Sequence, residues 1–154
     1  MIQIAGFRIS SLDQLNNIKS NCESSIEDYA VGSAVTGLVP IPGLDIAADI
    51  GLMIKMFSSL RSRYSLDNVN ASDFSHYVAL SSFANEVFQY VTKEGIITFL
   101  TKYGAKAIGK KAATKYIPII GQGIAAYTGF KLTKAMGHQY SNNCYNLCRE
   151  ILIN

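Results

Sequence analysis

The sequence predicts an all-α domain of five to six helices. Three observations carry that expectation. Apolar residues recur at spacings of three and four, and no segment alternates convincingly with the period of a strand. Two proline–glycine corners, "VPIPG" at 39–43 and "IPIIG" at 117–121, interrupt the helical patterns, because proline fixes φ and removes a donor. With 154 residues, the chain is read as one domain, 1–154, large enough for a real core.

The first helix starts near Ser11, where Ser11 and Gln14 make a capping-box signature. Leu12, Leu15, Ile18, Cys22 and Ile26 mark its apolar face, and it must end by Leu38, since the residue before a proline turns towards extended conformations. Pro40, Pro42 and Gly43 then form a stiff corner. The second helix spans about 44–64, with Asp45 and Asp49 suiting the positive end of its dipole. Ile46, Ile50, Met53, Ile54, Phe57 and Leu60 form one stripe, with Leu52 and Met56 opposite, a pattern that predicts burial nearly all round. "SLDNVNASD" reads as a polar loop, after which Ser72 or Asp73 caps a third helix to about Thr92. Gly95 and Gly104 punctuate a fourth, a fifth covers about 105–116, and a long last helix follows the second corner to about Leu152.

The two corners echo one another. Residues 39–52 and 117–130, offset by 78, share seven identities in fourteen positions, including Pro40 with Pro118, Gly43 with Gly121 and Gly51 with Gly129. This predicts two helix–corner–helix units about a pseudo-twofold axis. Ala47, Ala48, Gly51 and their counterparts would then allow close approach of helices.

No residue set amounts to an active site. "GAKAIGKK" at 104–111 imitates a phosphate-binding loop, yet Lys111 stands where Ser or Thr should hold magnesium, and no βα units surround it. His76 beside Asp73 reads as a surface pair, and His138 is isolated from any nucleophile signature. Asp45 and Asp49, as i,i+4 neighbours, could share a proton or a metal, but capping and corner amides account for them more simply. Cys22, Cys144 and Cys148 are an odd set that argues for a reducing compartment, the cytoplasm, rather than a disulfide framework. Cys144 and Cys148 share a helix face, while His138 falls elsewhere on the wheel, so zinc is not expected. No enzyme, cofactor or metal is predicted.

Charge is uneven. Residues 1–77 hold five Lys/Arg and eight Asp/Glu, whereas residues 78–154 hold nine and three. Lys102, Lys106 and Lys110 form one stripe, and Lys111 and Lys115 border the other side of the same apolar face. A cationic amphipathic helix suits anionic lipid head groups or an acidic protein surface, although a solvated face has the same pattern. Nucleic acid is not expected, since Tyr103 and Tyr116 make no stacking platform. Apolar residues are 49% and charged residues only 16%, which implies a large buried fraction, a greasy partner or a nearby membrane. The apolar runs are too short, and too interrupted by proline, to read as spanning helices, and the N-terminus does not read as a secretory signal.

"VTGLVPIPGLDIAADIGLMIKMFSSLRSRYSLD" and "TKYIPIIGQGIAAYTGFKLTKAM" resemble the C-terminal helical domain of the immunity-related GTPases. They are similar too to a bacterial helical domain of unknown function found behind Era-like GTPase domains or in inner-membrane proteins. The resemblance covers about residues 29–140 and carries Pro40, Pro42, Gly43, Asp45, Pro118 and Gly121 as fold determinants, with Asp49 alongside. The GTPase domain itself is absent, so GTP hydrolysis is not inherited. What the resemblance implies is a helical module for self-assembly, for a protein partner or for an anionic membrane surface. The rival expectation is a membrane-active, pore-forming or toxin-like protein that inserts its apolar hairpins.

Overall fold

Ser11 starts the first helix, α1 (Leu12–Thr36): its hydroxyl accepts a hydrogen bond from the Gln14 backbone N–H at 3.2 Å. The reciprocal half of the capping box is displaced by one residue. Gln14 Oε1 accepts from the Ser10 N–H at 2.9 Å instead of from Ser11. Leu15, Cys22 and Ile26 are fully buried and Ile18 partly so, whereas Leu12, in the first turn, is exposed. The computed structural model describes residues 2–36, 44–90, 92, 94–96, 98, 99, 102 and 126–154; of 33–36, 44–50 and 126–131 it describes the backbone alone.

Helix α2 (Leu44–Arg63) matches its expected span. Met53, Phe57 and Leu60 are buried as the stripe requires, and Met56 on the other side is fully buried too. Leu52 and Ile54 are half-buried, and among residues 51–63 the water-facing strip is narrowed to Lys55, Ser58, Ser62 and Arg63. The chain leaves α2 through Ser65, whose φ of 59° turns it sharply.

The third helix is shorter than the sequence suggests. Asp73 Oδ2 accepts from the Asn70 N–H at 2.8 Å and closes a single 3-10 turn, Ala71–Phe74, that buries Phe74. The chain opens again at Tyr77 (φ −117°, ψ 88°), and α3 (Val78–Phe88) begins only there. Neither Ser72 nor Asp73 is its cap, and His76 lies in the intervening turn rather than beside Asp73 on a helix. At its far end the chain doubles back so tightly that a Cβ at Gly95 would run into the Gln89 carbonyl oxygen. Thr92 Oγ1 accepts from the Gly95 N–H at 3.1 Å, and Glu94, Gly95, Ile96, Thr98, Phe99 and Lys102 are helical. The last helix is α4 (Ala126–Ile153).

The protein is all-α, and no strand occurs among the described residues. The expected fifth helix at 105–116 lies outside the described residues. So do Pro40, Pro42, Gly43, Pro118 and Gly121, together with the superposition of the two corners.

Helix α4 is the hub: α1 packs along it most extensively, and α2 and α3 also pack against it. Asn16 meets Tyr145 (2.8 Å), Ile26 lies against Gly137, and Glu27 pairs with Lys134, so α1 and α4 run antiparallel. Met56 meets Gly137, Phe57 stacks on Tyr140 (centroids 4.1 Å, interplanar 3°), and Cys148 Sγ donates to the Tyr64 carbonyl, so α2 and α4 run parallel. Phe99 abuts Phe57 and Tyr90 edge-on at 5.1 and 4.7 Å, which fastens the 94–102 region to the same aromatic centre. The N-terminal arm closes the far end of the bundle: Ile4 and Ile9 are buried, and the Ile2 N–H donates to the Ile151 carbonyl at 3.1 Å.

Candidate functional site

Two places could carry function: the polar groups sealed in the core, and the end of the bundle where the proline corners attach. In the core, the Tyr64 and Ser141 hydroxyls share a hydrogen bond at 2.7 Å, between the end of α2 and the middle of α4. All three cysteines are buried and free of disulfides. Burial pushes the Cys22 thiol up, an effect that Arg63 and hydrogen bonding from Tyr64 partly offset. Burial likewise raises Cys144 and Cys148, with their neighbouring thiols adding to it. Tyr64 and Tyr140 are raised for the same first reason, and the Tyr140 hydroxyl donates to the Val87 carbonyl at 2.9 Å. A thiol held protonated in apolar surroundings is a poor nucleophile and a poor metal ligand. Among the described residues, no group of three His, Cys, Asp or Glu side chains could hold a metal ion. The cluster therefore has the chemistry of a packed core.

Two polar atoms stand apart, since among the described residues Arg61 Nε and Thr133 Oγ1 are buried with no hydrogen-bond partner. Arg61 sits in the last turn of α2, where a cation complements the negative end of the helix dipole.

The opposite end is defined by the helix register. Thr36 lies nine residues beyond Glu27, and Ala126 eight before its partner Lys134, which are nearly equal rises of 1.5 Å per residue. The end of α1 and the start of α4 are thus level. Gly32 faces Leu52, which brings the start of α2 to the same place. Residues 37–43 therefore leave and return at this end, and the segment that follows Lys102 reaches α4 there. The two attachments are far apart in sequence and adjacent in space.

Of the predicted lysines only Lys102 is described. Its Nζ pairs with Glu86 Oε1 at 2.7 Å, which ties it to α3 and partly satisfies its charge within the protein. Lys106, Lys110, Lys111 and Lys115 lie outside the described residues, as does the imitation phosphate loop from Gly104 onwards. The stretch before that loop is helical at Gly95, Ile96, Thr98 and Phe99. The backbone of Asp45 and Asp49 is in α2, and their side chains lie outside the description. Asp73, offered as a partner for His76, is engaged by the Asn70 N–H. The Tyr64–Ser141 pair was missed by sequence reasoning, because nothing in the pattern links residues so distant in the chain.

The chain matches no family model, no curated protein and no solved structure.

Proposed function

We propose that this chain is a non-catalytic helical interaction module whose docking end is the one at which Thr36, Leu44 and Ala126 meet. The observation that carries the reading is the convergence of two attachments there. One belongs to "GLVPIPG" at 37–43, and the other to the chain that holds Lys106, Lys110, Lys111, Lys115 and "IPIIG". Segments that carry apolar residues and lysines in their sequence and attach at this end suit an anionic surface, where charge attracts and shallow apolar contact retains. The motif resemblance to the helical domain of immunity-related GTPases points the same way, towards self-assembly or contact with a membrane.

An anionic bilayer is the surface we favour over an acidic protein or a second copy of the chain. Each lysine near such a membrane contributes about 1 kcal/mol, fading over roughly 8 Å at physiological salt. Among the described residues no helix is long and apolar enough to cross a membrane, so contact from one side is the geometry proposed. The test is flotation with vesicles of neutral lipid alone or with added phosphatidylserine, with an entrapped dye. Salt-sensitive binding to the anionic vesicles without dye release supports the module. Dye release would favour the pore-forming alternative, and absence of binding with concentration-dependent sedimentation would favour self-assembly.

A further inference from the structure

We draw no further inference here: the strongest candidate, the half-buried Arg61 guanidinium in the last turn of α2, carries nothing because no second group among the described residues points to an anion beside it and the negative end of its own helix accounts for its charge.

Discussion

Gly137 of α4 lies against Ile26 of α1 and Met56 of α2. A Cβ there would meet Ile26 Cγ2 at 2.8 Å and Met56 Sδ at 2.9 Å. Gly137→Ala should therefore cost about 1–3 kcal/mol by overpacking, read as a lowered melting temperature. Gly51 gives the opposite sign. The sequence assigns it a close helix approach, yet among the described residues a Cβ there meets nothing within 4 Å, so Gly51→Ala should stabilise by about 0.5–1 kcal/mol through helix propensity alone. The polar core offers a coupled test. Tyr64→Phe strands the Ser141 hydroxyl and should cost about 1–2 kcal/mol, part of which returns in the Tyr64→Phe, Ser141→Ala double variant. The thiols and phenols add a pH dependence. Their pKa values rise on folding from ordinary values of 9.0 for Cys and 10.0 for Tyr, so the folded chain keeps protons that the unfolded chain releases in alkali. The unfolded state then binds fewer protons, and stability falls as pH rises. Denaturant midpoints should be unaffected by these groups below about pH 8 and decline above about pH 9, by up to about 1.4 kcal/mol per pH unit for each group. A flat profile to pH 11 would contradict the burial of these groups.

The helices show how far the chain can be read before it folds. Capping and periodicity located α1 and α2 closely, because both signals are local: Ser11 needs only the amide three residues on, and Met53, Phe57 and Leu60 need only the helical turn. Ser11→Ala should accordingly cost about 1 kcal/mol in chemical denaturation. The stretch after α2 was harder to read, because two local structures competed for Asp73. The carboxylate that looked like a helix cap closes a 3-10 turn instead, and burial of Phe74 favours that choice. The early end of α3 depends on the return of Gly95 against Gln89, a contact invisible in any window of helical pattern. The N-terminal arm was also illegible. Ile4 and Ile9 have no periodic neighbours, and their burial depends on the distant Ser65 and Ile151, reached through Arg8 N–H to Ser65 Oγ at 3.0 Å and Ile2 N–H to the Ile151 carbonyl.

The arrangement of the helices turns a pattern of charge into a proposal about place. From the sequence, the basic second half and the acidic first half were only an asymmetry. The register of α1 against α4, and of both against α2, brings both attachments of the first corner segment and the α4 attachment of the second to one end, which no sequence spacing reveals. Lys102 pairs with Glu86, which makes it a poor probe of docking. Two variants with equal losses of charge distinguish a docking end from a general electrostatic attraction. One carries Lys106, Lys110, Lys111 and Lys115→Gln. The other carries Arg8, Lys19, Arg63 and Arg149→Gln, all towards the far end of the bundle, where α1 starts and α2 and α4 finish. The decisive measurement is the affinity of both for phosphatidylserine vesicles at physiological salt, beside the unaltered protein. The first variant should lose up to about a thousandfold, the equivalent of about 4 kcal/mol, while the second stays within a few-fold of the parent. Equal losses in the two, or an undiminished affinity in the first, would contradict a docking end at Thr36, Leu44 and Ala126.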